Sequence, residues 1–320
     1  MVTRFGAFLT HDTDGNVAQL HGIGVQRFGD RWYAYGENKV NGNRFQGVMC
    51  YSTTDFDTWQ SHGKVFDVQP DSALSADMIG ERPKVLHCPS TGKYVMIIHV
   101  ESPDYQYAHL GFAVGDSPVG PFEFRYTLQW KGYISRDIGV FQDKDGSGYV
   151  MSEDRAHGCH IYKLADDYLS IVEDVACERA TDYRFGVEAP TIVRKGDTYY
   201  WFGSLLTGWF TNDNVYATAS DLHGPWSEWK LFAPKDSHTW DSQTDIVIPL
   251  DEDEYNSEHF LFIGDRWSKN DLGNSYIVQL PIEIADGEAK LEWKPEYEGE
   301  THRPGFGGDA SEEPDPGQYL

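Results

Sequence analysis

Apolar positions along the chain fall in short alternating or β-branched and aromatic runs, each closed by Gly, Asp, Asn or Pro. Helical spacing is almost absent, so the pattern predicts an all-β protein. Several runs resemble one another: GDRWYAYGE at 29–37, TGKYVMIIHVE at 91–101, GSGYVMSED at 146–154, KGDTYYWFGS at 195–204 and SEHFLFIGDRW at 257–267. Each opens with a turn, carries one or two aromatics in a strand, and often ends on an acid or Gly. A second element follows them in the same order, as YSTTDFDTW, AVGDSPVGPF, YKLADDYL and ATASDLHGPW, with YIVQLPIEI as the last copy. The central aromatics Trp32, Tyr94, Tyr149, Tyr199 and Phe260 return at intervals of about 50–60 residues, somewhat longer than a WD40 or kelch blade. Five ordered repeats predict a five-bladed β-propeller over residues 1–298, a plain β-sandwich being the alternative. Residues 299–320 are rich in Gly, Pro and Glu and are expected to form a flexible tail.

Composition changes this picture mainly by exclusion. The 320 residues carry 26 Lys+Arg against 51 Asp+Glu, a formal net charge of −25. Such a surface repels phosphate, so neither nucleic acid nor an anionic membrane is an expected partner. No run of 18 apolar residues occurs, and the start MVTRFGAFLTHDTDG lacks the apolar core of a signal peptide. A cytoplasmic location is expected, a secreted form with its leader removed being the alternative. Cys50, Cys88, Cys159 and Cys177 show no C-x-x-C spacing, which leaves reduced thiols as the reading. The 12 His are scattered, and no phosphate-binding, dinucleotide or serine-elbow motif is present. No metal and no cofactor is expected. Aromatics at 14% beside so many carboxylates suit sugar binding, but they equally suit blade cores and a solubilising surface.

In a propeller the inner strands converge on one axis, so polar residues at strand ends become site candidates even when distant in sequence. Glu188, in FGVEAPTIV, has apolar neighbours that would desolvate it and raise its pKa, as a general acid requires; a solvent-facing strand residue is the other reading. Glu81, in MIGERPKVLH, has the same placement, or else forms a local ion pair with Arg82 or Lys84. Asp137, in YISRDIGVF, repeats the pattern, with Arg136 beside it. Glu37 ends the first WYAYGE strand and could accept bonds from sugar hydroxyls or simply cap the strand. Trp209, in LLTGWFTND, reads as a stacking platform or a core residue. Gln243, in TWDSQTDIVIPL, reads from its surroundings as a structural hydrogen-bonding amide.

Taken together, the ordered segments resemble glycoside hydrolase family 43 and, within it, the exo-β-1,3-galactanase branch. HDTDG, HGIGV, WYAYGENK, ERPKV, SRDIGVFQDKDGSGYV, EAPTIV, TGW, DSQTDIVIPL and FIGDRW carry the resemblance over roughly residues 10–285. It implies an inverting, exo-acting hydrolase that releases galactose from the non-reducing end of β-1,3-galactan or its oligosaccharides. Glu188 is then the general acid, and Glu81 the carboxylate that orients it and adjusts its pKa. The Asp base of most family members has no match, because HGIGV around His21 occupies its place. The resemblance instead puts Gln243 there, activating water as an imidic-acid tautomer. It further implies that Glu37 and Asp137 hold the terminal galactose near Thr207 and Trp209, with His21, Arg136, Asp241 and Arg266 as subsite or supporting groups. Other family specificities, namely galactofuranosidase, arabinofuranosidase or xylosidase, are alternatives. So is a sugar-binding propeller that has lost hydrolysis.

Overall fold

The computed structural model describes Val2, residues 4–179 and residues 186–294. Residues 295–320, including the expected tail, lie outside them. After a short β1 (Gly6–Phe8), strands group in fours. The first blade holds β2 (His21–Phe28), β3 (Arg31–Glu37), β4 (Val48–Thr53) and β5 (Gln60–Phe66). The second holds β6 (Ile79–His87), β7 (Tyr94–Glu101), β8 (His109–Gly115) and β9 (Glu123–Leu128). The third holds β10 (Ile138–Gln142), β11 (Gly148–Asp154), β12 (Gly158–Leu164) and β13 (Ile171–Glu178). In the fourth are β14 (Val187–Lys195), β15 (Thr198–Leu205), β16 (Val215–Ala219) and β17 (Lys230–Leu231). The fifth joins β18 (Gln243–Pro249), β19 (Phe260–Arg266) and β20 (Tyr276–Ala285), whose free edge is shared by β1 and β21 (Glu288–Leu291). An N-terminal strand thus completes the last blade, so the first and last described strands share one sheet. This is the five-bladed propeller that the repeats predict.

The repeated aromatic element is the second strand of each blade. It sits between two neighbouring sheets and is buried on both faces, as in the almost fully buried β7 and β11. Its side chains fill five cores, one in each gap between blades. Tyr35, Phe66, Met96 and Ile98 pack between blades one and two, and Leu86, Phe112, Val150 and Tyr162 between two and three. Met151, Ile161, Tyr199 and Trp201 lie between three and four, and Phe202, Tyr216, Phe262 and Leu280 between four and five. Phe8, Val25, Trp59 and Ile263 close the ring between five and one. Most of the aromatic content is therefore blade packing.

The first strands β2, β6, β10, β14 and β18 pack side by side around the axis and all run the same way, so their N-terminal ends meet at one mouth of the channel. At that end the ladder breaks in four of them. Register shifts follow His21, Glu81 and Glu188, and a fourth falls between Thr244 and Ile246. The bulges after Glu81 and Glu188 pass through Arg82 and Ala189, both at φ 52°. Proline follows each, where the missing N–H costs no ladder bond. The E-R-P and E-A-P segments are thus bulge sequences, and the bulge re-aims the preceding carboxylate toward the axis. Close approach of neighbouring inner strands is bought with glycine: a Cβ on Gly139 would lie 1.9 Å from the Pro190 carbonyl oxygen, and one on Gly24 2.4 Å from that of Pro83. Gly139→Ala, which must push β10 from the Ala189–Pro190 bulge, is expected to cost about 1–3 kcal/mol. Urea unfolding measures this, and an unchanged midpoint would show that the strands have slack.

Candidate active site

Glu188 stands at the start of β14 and is buried, 8% exposed. Its Oε1 accepts a hydrogen bond from Gln243 Nε2 at 2.9 Å. The same nitrogen donates to Ser204 Oγ at 2.8 Å, and Gln243 Oε1 accepts a short bond from Arg82 Nη2. A guanidinium can only donate, so the amide oxygen must face Arg82 and the amide hydrogens must face Glu188 and Ser204.

Arg82 itself is held on every side. Nε pairs with Asp137 Oδ2 at 2.9 Å, Nη1 pairs with Asp245 Oδ1 at 2.9 Å, and the backbone N–H donates to Glu37 Oε1 at 2.7 Å. Lys39 Nζ lies 2.8 Å from the other Glu37 oxygen and also donates to Asn43. Glu37 is 3% exposed and its two oxygens already face protein donors, so it braces Arg82 and Lys39. The local pair of Glu81 with Arg82 or Lys84 does not form. Glu81 instead accepts from the Tyr105 hydroxyl at 2.9 Å and lies 3.3 Å from His99 Nδ1. His99 Nε2 is 3.5 Å from Glu101.

These surroundings sort the acids. Burial pushes the Glu188 carboxyl well above its ordinary range, the nearby Asp137 and Glu153 charges add to this, and Arg155 and Arg82 oppose it. Glu153, likewise buried, is carried up to about 7. Burial works on Glu81 too, but His99 and Lys39 outweigh it and hold the carboxyl below its usual range. Burial disfavours charge on His99, yet its contacts with Glu101 and Glu81 raise the imidazole to about 9. The ligand atoms of Glu81, His99 and Asp137 lie within 4.8 Å of one another, a spacing that could hold a cation. Two of the three also face cationic side chains, Glu81 the His99 ring and Asp137 the Arg82 guanidinium. His21 is the opposite case: burial, Lys39 and Arg82 lower it to about 3 and keep it neutral.

The remaining candidates line the rim. The Trp209 ring meets Trp267 edge-on at 5.4 Å, and Trp267 in turn lies 5.4 Å from His21, so three rings from blades four, five and one form one wall. Thr207 Oγ1 donates to the Phe210 carbonyl and accepts from Asn212, which shapes the loop carrying Trp209. Arg266 donates to the backbone carbonyls of Trp240 and Asp241 and fixes the turn before Gln243. Arg136 bonds the Tyr105 carbonyl at 2.8 Å. The bonds to Asp241 go to its backbone rather than its carboxylate.

The neighbouring carboxylates that raise Glu188 most are Asp137 and Glu153, and Glu81 bonds Tyr105 beside His99. Gln243 Oε1 accepts from Arg82, a bond that either the amide oxygen or an imidic-acid hydroxyl can accept. Glu188 and Gln243 touch, whereas an inverting acid and its partner stand about 6.5–9.5 Å apart. Sequence reading passed over Arg82 as a hub, along with Asp245, Asp265, Ser204, Tyr105, His99 and Trp267. His99, Ser204, Asp265 and Trp267 sit inside the repeated segments and Asp245 in DSQTDIVIPL, and β18–β19 register sets Gln243 opposite Asp265.

A family model, Glycosyl hydrolases family 43, matches residues 21–249. Among solved structures, the chain is similar to a Bifidobacterium bifidum S17 protein provisionally described as an exo-β-1,3-galactanase, with 74% identity, 94% of this chain and 100% of that one covered, and a TM-score of 0.92. An exo-β-1,3-galactanase of Phanerochaete chrysosporium, solved with galactose, is 29% identical over 91% of this chain and 67% of its own, with a TM-score of 0.85. A substituted form of that enzyme, solved with β-1,3-galactotriose, aligns at 29% identity over 90% and 66%, with a TM-score of 0.84. Among curated protein sequences none matches.

If Glu188 must be protonated to work, activity falls as pH rises through its pKa. Asp137→Asn removes the charge that raises that pKa most, so the alkaline limb of kcat/KM should move to lower pH. A limb that stays in place or moves up would remove Asp137 from this role.

Proposed function

Since the chain belongs to glycosyl hydrolases family 43, we propose that it is an inverting exo-β-1,3-galactanase, cleaving galactose from the non-reducing end of β-1,3-linked galactan and its oligosaccharides. The observation that carries the chemistry is Glu188: a buried carboxyl whose surroundings push its pKa up, at the channel mouth where four inner strands bulge. The 74% identity to the Bifidobacterium protein over its full length, and the galactose and galactotriose bound by the fungal enzyme, support the substrate class.

In this reading Glu188 gives its proton to the glycosidic oxygen as the bond to the anomeric carbon breaks. A water adds to that carbon from the opposite face, sheds a proton to solvent, and leaves galactose in the α configuration. Gln243 positions this water. Arg82 occupies one lone pair of the amide oxygen and leaves the other to accept a water hydrogen. The sugar must part Glu188 from Gln243 to reach its place. Losing the amide donor further disfavours the ionised carboxyl, so the acid is best poised once substrate is seated. The Trp209–Trp267–His21 wall offers ring faces to the C–H faces of galactose.

Proton NMR of β-1,3-galactobiose hydrolysis should show α-galactose first, with β-1,6-galactobiose a poor substrate. Initial β-galactose would contradict inversion, and equal use of the two linkages would contradict the specificity. Glu188→Gln should lower kcat by about 10²–10⁴-fold.

A further inference from the structure

Each of the four bulged inner strands has one residue of the second strand facing the start of its bulge. Register sets Glu37 opposite His21, His99 opposite Glu81, Ser204 opposite Glu188 and Asp265 opposite Gln243. Glu37, Ser204 and Asp265 are buried, and each accepts a hydrogen bond from the inner strand of the next blade. Glu37 Oε1 takes the Arg82 backbone N–H at 2.7 Å, and Asp265 Oδ2 takes that of Gly22 at 2.7 Å. Those two acids therefore pin main chain. Ser204 Oγ instead takes Gln243 Nε2 at 2.8 Å. Blade four pins a side chain, and it is the one that positions water in the proposed reaction.

The Gln243 amide is held at three points: Nε2 donates to Glu188 Oε1 and to Ser204 Oγ, and Oε1 accepts from Arg82 Nη2. Seating the sugar takes away the bond to Glu188. Arg82 then fixes the oxygen alone, which leaves the amide plane free to turn about the bond that joins it to its side chain. A contact on the nitrogen stops that rotation. Ser204 is fully buried, so bulk water does not compete for this bond. We propose that Ser204 is a positioning residue: with Glu188 drawn to the glycosidic oxygen, its hydroxyl holds the Gln243 amide plane and so aims the free lone pair of Oε1 at the attacking water. The inference rests on the proposed hydrolysis and names the group that keeps the water in line while the acid is occupied. Its residue type suits the place. A carboxylate, as blades one and five carry at this position, would set another negative charge across the ladder from Glu188, whereas a hydroxyl accepts the bond and adds none.

Ser204→Ala deletes one oxygen, and Ser204→Thr keeps the hydroxyl. On β-1,3-galactobiose, Ser204→Ala should lower kcat by roughly 10–10²-fold with KM changed less than about twofold. Ser204→Thr should recover most of that loss. β-Galactosyl fluoride separates the water from the acid, because fluoride departs without a proton. On the fluoride Glu188→Gln should regain most of its rate, while Ser204→Ala should keep its full defect. A Ser204→Ala kcat equal to the parent's, a defect that the fluoride relieves as it relieves Glu188→Gln, or a loss carried by KM would overturn the proposal. So would a folded Ser204→Thr protein as slow as Ser204→Ala. Failure of the galactanase reading shows elsewhere, in a parent protein that leaves galactobiose and the fluoride intact, and it would take this inference with it.

Discussion

One guanidinium joins the five blades at the channel mouth. Arg82 rises from the bulge of blade two, bonds Glu37 of blade one, Asp137 at the edge of blade three and Asp245 of blade five, and through Gln243 reaches Glu188 and Ser204 of blade four. Burying a cation costs several kcal/mol unless its partners are well placed, and removing one partner of such a pair is strongly destabilising. The site is therefore over-determined. Arg82 sets which way the Gln243 amide points, which in turn sets what Glu188 can bond. The carboxylates around it are placed before any sugar arrives, and catalysis by fixed dipoles and charges depends on that preorganisation.

The same end of the channel gathers many acids, and their protonation differs by environment rather than by residue type. Glu188 and Glu153 are dry and lie close to like charge, so their carboxyls are raised. Glu81 and Glu101 flank a charged imidazole and are lowered. Acids held in opposite states within one site allow one to give a proton while others stay charged to hold sugar hydroxyls. Many of the other described acids lie at the surface, where ion pairs such as Lys93–Asp116 and Lys230–Glu288 contribute little.

The fold was readable because each blade repeats a strand that must be apolar on both faces. Trp32, Tyr94, Tyr149, Tyr199 and Phe260 mark those strands in order. Glu188 was readable because a carboxylate before Ala-Pro and a β-branched run has nowhere wet to go. Arg82 was not, because an arginine next to a glutamate looks like its local partner, and only the bulge sends the two side chains to different neighbours. The role of Gln243 depends on which oxygen or nitrogen meets which donor, and no spacing in the sequence carries that.

Gln243 and Glu188 touch as they stand, and bound substrate is expected to part them around the scissile bond. The most direct test is a crystal structure of the Glu188→Gln protein with β-1,3-galactobiose. The account predicts that residue 188 swings to the glycosidic oxygen, with about 6.5–9.5 Å between it and the Gln243 amide. It also predicts a water on Gln243 Oε1 facing the anomeric carbon. If residue 188 keeps its bond to Gln243 with galactobiose seated at the channel mouth, or if Arg82 has released the amide oxygen, the account is wrong.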